Sequence, residues 1–490
     1  MQVVFLSVTL LAVRVAAISD TSDTPGRCCE LHRTPCCRSC YTSIPGTLCY
    51  CDQPCNSDYG KCCPDDRYVC LTEASEECMF EIPTNEAFPG LVFANVDFSR
   101  RPHYHEFDTT LPPTSTLQYV YAIFRHGIRS PVHEPYPTSP NAWLYEKVFP
   151  GVRGKLTKAG IRQMYNVGKD LKTRYGDFVG DYSQEKVHVT ASNMSTRTVV
   201  SPISVMAGLF PPAAPILKHL PTWQPIPVCE NSTEFDKVYL YDSPNIAKYT
   251  CPKIAAIAAA AVNMSEQPDR RKDRQLIYKL LRENSGNPEM DSILSVGNIY
   301  DVILFESLNW LPQPEWVIEP RPELDNKPLF PDLLEPIDLE FYYNNIYFKH
   351  KQSCLQFISG PLLYSIHQQL KKHEVPGEEK FRFHGTSDFA IMGVLCGMGV
   401  DVRAIIDPGD GVLFEVHQEN LISKVKVLYY HSMSHTLERL ILRRCPDPCT
   451  VKEFIRKFPG LSPERWTELC FSDDPCPPAE DFEKTNLYDF

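Results

Sequence analysis

Residues 119–131 read Tyr-Val-Tyr-Ala-Ile-Phe-Arg-His-Gly-Ile-Arg-Ser-Pro, an apolar run that ends abruptly in charged and polar side chains. Its β-branched and aromatic residues predict a buried strand, and α/β proteins bind ligands at the carboxyl ends of such strands. We therefore expect Arg125, His126 and Arg129 to meet at one edge of a sheet. Two guanidiniums beside an imidazole suit a phosphoryl group, because a planar guanidinium matches the geometry of an oxyanion. Gly127 is expected to let the backbone approach that ligand closely.

This motif resembles the RHGxRxP motif of the histidine acid phosphatases, a family in which the histidine becomes phosphorylated. A lone histidine on an apolar strand is more often a core residue, but the flanking arginines favour a site. Leu156, Thr157 and Gly160, followed by apolar residues at helical spacing, extend the resemblance, and Thr157 is the expected N-cap. The resemblance covers about residues 116–470. It implies an α/β fold with a phosphoglycerate-mutase-like sheet flanked by helices and a helical cap between residues 210 and 377.

The resemblance also implies a role for each residue of the site. His126 would be the nucleophile that attacks phosphorus. Arg125 and Arg129 would bind the phosphate and stabilise charge on the transferring phosphoryl group. Asp388 would act as the general acid that protonates the leaving oxygen. The family adds a third arginine on a later strand and a phosphate-binding histidine directly before the acidic residue.

Two of these family residues are replaced in this chain. When the sequence is aligned on Arg197-Thr198, the third arginine falls on Ala191. When it is aligned on the apolar helix that ends at Gly399, the family's histidine falls on Ser387. We therefore expect a phosphate or phosphomonoester site on His126 with weakened or absent catalysis, since losing one oxyanion donor costs about 10²–10³ in rate. The alternative is an active acid phosphatase in which His384, Arg197 or another arginine compensates. A structural ion pair is nevertheless the preferred interpretation of Arg197.

The cysteines are concentrated near the N-terminus, where twelve of the twenty lie between Cys28 and Cys78. So short a segment builds too small a core to fold without cross-links. Adjacent cysteine pairs, with only His32 nearby, favour disulfides over zinc. The spacing from Cys36 to Cys70 resembles a somatomedin-B domain, which implies a small disulfide-rich adhesion or docking module. A third hypothesis makes this module the working part, which binds extracellular matrix or a cell-surface protein while the larger domain carries it.

The predicted organisation has four parts: a signal peptide at residues 1–17, the somatomedin-B-like domain at 18–80, a proline-rich linker at 81–115 and the phosphatase-like domain at 116–490. The apolar leader and the cysteines predict a secreted, extracellular protein, with the lysosomal lumen less favoured. The formal charge of −12 argues against nucleic-acid binding. No later segment is long enough to predict a membrane span.

Further sites follow from short motifs and from the acid-phosphatase resemblance. Three glycosylation sequons begin at Asn193, Asn231 and Asn263. The resemblance implies the disulfides Cys251–Cys470 and Cys445–Cys449, and it leaves a homodimer open. No metal or cofactor is expected, because the sequence carries neither an HExxH motif nor paired carboxylates.

Periodicity and turn chemistry predict the other elements of the large domain. Strands are expected at residues 187–190 and 380–384, and helices at 275–282, 291–308, 355–372 and 388–399. Asp407-Pro408-Gly409-Asp410-Gly411 is expected to form the turn of a β-hairpin, because glycine, proline and aspartate favour turns.

Overall fold

The computed structural model describes residues 91–92, 107–108, 110–192, 195–212, 224–231, 251–346, 352–400, 402–445 and 449–472. The chain divides into two compact units, Met1–Phe88 and Pro89–Phe490, and every described residue belongs to the second. The predicted signal peptide, the somatomedin-B-like domain and the sequon at Asn193 lie outside the described residues.

The helices and strands of the described residues are numbered in chain order. The strands are β1 Leu91–Val92, β2 Phe107–Asp108, β3 Leu117–Arg125, β4 Val187–Ser192, β5 Cys229–Asn231, β6 Gln313–Pro314, β7 Phe381–Thr386, β8 Gly411–Glu419, β9 Ile422–His431 and β10 Thr436–Leu440. The first helices are α1 Tyr145–Val148, α2 Lys158–Val179, α3 Thr196–Leu209, α4 Pro252–Ser265, α5 Pro268–Asp273, α6 Gln275–Ser285 and α7 Ile293–Leu308. The remaining helices are α8 Glu315–Ile318, α9 Leu334–Ile346, α10 Gln352–Lys372, α11 Asp388–Gly397, α12 Val451–Lys457 and α13 Pro463–Cys470.

The main sheet has eight strands in the order β2-β10-β9-β8-β3-β7-β4-β5. β3, β7, β4 and β5 run parallel, whereas β8, β9, β10 and β2 pair antiparallel on the other side. The register sets Arg125 opposite Thr386 and Ala191 opposite Gly385. The carboxyl ends of β3, β7 and β4 therefore meet at one edge, as expected for the His126 motif.

Strand β3 is apolar from Tyr119 to Phe124 because helices cover both faces of the sheet. Tyr119, Tyr121 and Ile123 belong to a core shared with α10 and α11. Ala122 and Phe124 belong to a second core, shared with α2 and α3. Side chains alternate between the two faces of a strand, so neither face of β3 is left for solvent. The sequence therefore shows an unbroken apolar run.

A third core lies among the helices inserted between β5 and β7, and it includes buried residues of α6, α7 and α9. This arrangement agrees with the helical cap that the resemblance implies. The predicted linker also contributes structure, because β1 pairs with β6 and β2 pairs with β10. The segment 81–115 therefore supplies two short strands to the larger unit.

The predicted hairpin at residues 407–411 is wrong. That segment is a turn that leads into β8, and the hairpin turn lies instead between β8 and β9, at Asn420 and Leu421. Both residues have positive φ values, 51° and 64°, as a two-residue turn of the mirror-image type requires. Leucine rarely adopts that conformation. The Asn-Gly pair that usually predicts such a turn is absent here, so the sequence did not indicate it.

Two disulfides cross-link the described residues of this unit. Cys251, at the start of α4, is bonded to Cys470 at the end of α13, and Cys445 is bonded to Cys449. These are the pairs that the resemblance implies. None of the described helices is both long enough and apolar enough to cross a membrane.

Helix α2 begins at its predicted N-cap, where the Thr157 hydroxyl accepts a hydrogen bond from the Gly160 N–H. Farther along, α2 packs closely on α3 through small residues. A Cβ added at Gly168 would lie 2.1 Å from the backbone oxygen of Val205, and one added at Gly208 would lie 2.1 Å from that of Tyr165. The glycines therefore set the distance between these two helices, which follow β3 and β4.

We predict that Gly168→Ala lowers the free energy of unfolding by at least about 2 kcal/mol, because overpacking forces α2 away from α3. Gly176→Ala is the matched control on the same helix, since its Cβ would meet only the flexible Lys172 side chain at 3.4 Å. We expect that control to be neutral or to stabilise by up to about 1 kcal/mol. Urea unfolding of both variants measures the difference, and equal stabilities would contradict the packing argument.

Candidate functional site

The backbone around His126 is held from two sides. The Arg125 N–H donates to Asp410 O at 2.8 Å, and the His126 N–H donates to Thr386 O at 3.0 Å. The His126 carbonyl accepts from the Gly409 N–H at 3.0 Å. The end of β3 is thus clamped between the end of β7 and the turn before β8, which fixes the position of the imidazole.

Gly127 is required for packing, and the close approach of a ligand to its backbone stays a prediction. A Cβ at Gly127 would lie 2.7 Å from the Met164 side chain and 2.8 Å from Gly160 O, both on helix α2. The Gly127 N–H donates to the Ser201 hydroxyl of α3 at 3.1 Å. The missing side chain lets α2 lie against the motif and secure the residue that follows the histidine.

The His126 imidazole is buried, and its orientation indicates which nitrogen carries the proton. Nδ1 lies 2.9 Å from the Gly127 carbonyl oxygen, which is only an acceptor, so Nδ1 is the protonated nitrogen. Nε2 then keeps its lone pair. Burial is the largest cause that lowers the pKa of His126 well below its usual value, and the charges of Arg197, Arg125 and Arg129 lower it further. The ring is therefore neutral and nucleophilic even in mildly acidic solution.

Arg125 is buried and paired with the acidic residue predicted from the sequence. Its Nη2 lies 2.7 Å from Oδ2 of Asp388, and its Nη1 donates to Ile406 O. The other oxygen of Asp388, Oδ1, accepts from the Phe389 N–H at 2.8 Å. The structure thus brings together the first motif arginine and the predicted general acid, on β3 and at the first residue of α11.

Arg129 is held by the cap. Its Nη2 lies 2.5 Å from Oδ1 of Asp301 on α7, and its guanidinium stacks over the Phe305 ring at 3.7 Å from the centroid. Asn309 donates its side-chain amide to Arg129 O at 2.9 Å. Burial would raise the pKa of Asp301, but Arg129 holds it below its usual value. The sequence analysis did not assign Asp301 this role.

A third cation comes from Arg197, on the first turn of α3. Its Nη1 donates to Gly154 O at 3.2 Å, and its charge acts on His126 more strongly than those of Arg125 and Arg129. Ala191 itself is fully buried at the end of β4 and supplies no charge. This influence on the His126 pKa indicates that the Arg197 charge acts on the imidazole, and a structural role for Arg197 stays compatible with its bond to Gly154 O.

Ser387 and His384 do not supply the family's phosphate-binding imidazole. Ser387 is the N-cap of α11, and its hydroxyl accepts from the Ala390 N–H at 3.4 Å. His384 lies two residues before the end of β7, with Nδ1 3.0 Å from the Thr190 hydroxyl. Burial and then the Arg382 charge lower the pKa of His384 to about 4, so it is neutral at most pH values. The idea that His384 compensates for Ser387 finds no support in this placement.

Several buried donors at this edge have no partner among the described residues: Arg125 Nε, Arg129 Nε and the Thr386 hydroxyl. Unsatisfied buried donors are uncommon, and beside a neutral imidazole they point to an anionic ligand. A further carboxyl, that of Asp338 on α9, lies near this group and was not singled out in the sequence. No group of three or more metal-ligating side chains is found in the part of the chain that the structure describes. The arrangement suits binding of a phosphoryl group and attack by Nε2.

The two described sequons lie on different elements. Asn231 is the last residue of β5, and Asn263 is exposed on α4. Neither belongs to the group of charged residues around His126.

Comparisons with known proteins agree with this geometry. The model of the histidine phosphatase superfamily (branch 2) matches residues 116–429. Human prostatic acid phosphatase is 25% identical over 368 residues, which cover 74% of this chain and 90% of that protein. Bovine lysosomal acid phosphatase is 26% identical over 360 residues, with 72% and 80% covered. In fold, the chain is similar to the Citrobacter braakii phytase structure, with a TM-score of 0.52, 15% identity, and 70% of this chain and 97% of that chain covered.

We predict that Arg197→Gln raises the pKa of His126, because it removes the strongest of the three charges that disfavour the imidazolium. Side-chain NMR of labelled histidine, followed over a pH titration, measures the shift. Arg153→Gln is the control, because that arginine bonds His133 O and Glu134 and is not among the groups that act on His126. An unchanged His126 titration in Arg197→Gln would exclude Arg197 from the site.

Proposed function

The chain belongs to branch 2 of the histidine phosphatase superfamily, and we propose that it binds phosphomonoesters and transfers their phosphoryl group to His126, with slower turnover than its acid-phosphatase relatives. The observation that carries this proposal is the state of the His126 ring. Nδ1 is bonded to Gly127 O, and Nε2 keeps its lone pair beside three arginine charges.

In the first step Nε2 of His126 attacks phosphorus, the bond between phosphorus and the leaving oxygen breaks, and that oxygen takes the proton of Asp388. In the second step water attacks the phosphohistidine and gives a proton to the Asp388 carboxylate, while the P–N bond breaks and its electron pair returns to Nε2. Arg125, Arg129 and Arg197 stabilise the charge on the phosphoryl oxygens during both steps. The resemblance assigns the general acid to Asp388, and its position at the same sheet edge supports that assignment.

Charge stabilisation is weakened at one position rather than at two. Arg197 offers a cation that Ala191 does not, and this supports the alternative in which an arginine later in the chain compensates. Ser387 has no such substitute among the residues predicted from the sequence, because His384 bonds Thr190 instead. Loss of one preorganised donor lowers the rate about 10²–10³-fold. We therefore propose a weakened phosphatase rather than a fully inactive one.

The relatives named above are prostatic and lysosomal enzymes, and the two disulfides of the described residues need an oxidising compartment. We propose that the protein is secreted and that its somatomedin-B-like segment docks it to matrix or to a cell-surface protein. Binding of the Cys28–Cys78 segment to cells or matrix, measured with the full chain and with that segment deleted, tests this second role.

We predict that His126→Ala abolishes hydrolysis of p-nitrophenyl phosphate at acid pH, since it removes the nucleophile. Ser387→His is expected to raise kcat about 10²-fold, because it restores a donor to the transferring phosphoryl group. Ser387→Ala is the matched control, since both variants lose the helix cap and only one gains an imidazole. Turnover that survives in His126→Ala would contradict the proposal. Absence of turnover in the native protein, with phosphate still raising Tm, would indicate a phosphate-binding pseudoenzyme.

A further inference from the structure

Asp338 lies on α9 and presents its carboxyl to α7. The neighbouring Leu334 and Ile337 are buried in the core of the cap, whereas Asp338 is half-buried. A Cβ added at Gly297 of α7 would lie 2.7 Å from Asp338 Oδ1, so the glycine leaves room for the carboxyl. The carboxyl therefore rests against the surface of α7, at the position where that helix has no side chain.

The spacing of residues along α7 and along α9 indicates that Asp338 lies near the phosphoryl site. Asp301, the partner of Arg129, is one turn after Gly297 and so lies on the same face of α7. Tyr342 is one turn after Asp338 on α9, and its ring lies 5.9 Å from that of Phe389, the residue after Asp388. These contacts and the charges of Asp388 and Asp301 that act on Asp338 indicate that its carboxyl lies near the two carboxylates paired with the motif arginines.

These three carboxyls differ in their partners. Asp388 and Asp301 are each paired with an arginine. Among the described residues, no hydrogen bond or ion pair engages the Asp338 carboxyl. Burial is the largest cause that raises the pKa of Asp338 to about 8, followed by the like charges of Asp388, Asp301 and Glu335, while Arg125 opposes the shift. Asp338 is consequently a neutral acid at neutral and acid pH, in a site whose other carboxyls are paired.

We propose that Asp338 binds the phosphoryl group of the ligand by donating a hydrogen bond from its neutral carboxyl, in the role left open by Ser387. This inference rests on the proposed phosphoryl site at His126. A protonated carboxyl offers one O–H donor to a phosphoryl oxygen, as an imidazolium would offer an N–H. It does so without adding a cation, in a site that already holds three arginines.

The proposal gives the site a defined pH dependence. Below pH about 8 the carboxyl is neutral and donates to the anion. Above that pH it becomes a carboxylate, which has no proton to donate and repels the phosphoryl oxygens. If binding requires the proton, affinity falls by up to about tenfold for each pH unit above the pKa. The charged groups that act on Asp338 are Asp388, Asp301, Glu335 and Arg125, and the Asp338→Asn variant leaves all four in place.

The test is the affinity of the full-length protein for inorganic phosphate, measured by calorimetry from pH 6 to pH 9.5. Asp338→Asn keeps the size and a donor but cannot ionise, so comparison at each pH removes the titration of phosphate itself. We expect equal affinity near pH 6 and about tenfold tighter binding by Asp338→Asn at pH 9. Asp338→Ala should bind about tenfold or more weakly at pH 6, because the donor is gone.

Gly297→Ala is a second probe that leaves Asp338 in place. Its methyl group would displace the carboxyl, while alanine favours the helix by about 1 kcal/mol over glycine. We expect a stable protein with weakened phosphate binding at pH 6. Thermal unfolding without phosphate verifies that each variant is folded.

The outcomes separate this inference from the function on which it rests. If the native protein and Asp338→Asn show the same affinity at every pH, Asp338 does not contact the anion and the inference is overturned. If the native protein binds no phosphate at pH 6, or binds it unchanged after His126→Ala, the proposed site itself is overturned.

Discussion

The parallel pairing of β3 with β7 is the constraint on which the site depends. The register that sets Arg125 opposite Thr386 also makes the His126 N–H donate to Thr386 O. Because the two strands run in the same direction, the histidine motif and the first turn of α11 emerge at one edge. A parallel pair needs a long connection, and here the chain between β3 and β7 includes β4, β5 and the helical insertion that carries Asp301 and Asp338.

At this edge of the sheet, most charged side chains are paired with an opposite charge that they contact directly. Two arginines are each matched with one aspartate, and the third arginine acts on the imidazole from the start of α3. Under the proposed function, an incoming phosphoryl group would replace these carboxylates as partner of the arginines, and the ion pairs would keep the arginines ordered between binding events. Such preorganisation lowers the cost of orienting charged groups when the ligand arrives.

The sequence predicted the parts of the fold that rest on local patterns. The apolar run before Arg125 correctly predicted strand β3, and Thr157 correctly predicted the start of helix α2. Burial and capping can both be recognised from residues that are adjacent in sequence. The hairpin was misplaced, because Asp407–Gly411 has stronger turn chemistry than Asn420-Leu421 and only long-range strand pairing decides between them. The packing role of Gly127 was missed for a related reason. The demand on that glycine comes from helix α2, more than 30 residues later in the chain.

Within the site, local motifs identified Arg125, His126 and Arg129. From the sequence, a structural ion pair was the preferred interpretation of Arg197. Its effect on the pKa of His126 depends on how α3 follows the end of β4, which the sequence does not show. Asp338 carries no motif at all. Its proximity to the site depends on a glycine in another helix and on two helix–helix contacts, and neither can be read along the chain.

The bond between Cys251 and Cys470 encloses a segment with a sequence separation of 219 residues. In the chain-entropy description, a cross-link of that span removes freedom from the unfolded chain worth about 5 kcal/mol. It also makes the unit tolerant of backbone cleavage. A protease that cuts once between Cys251 and the start of β8 leaves two fragments joined by the disulfide, with β3 on one piece and β8 on the other. In an extracellular setting rich in proteases, a nicked molecule would keep its halves together, and the nick would become visible only after reduction.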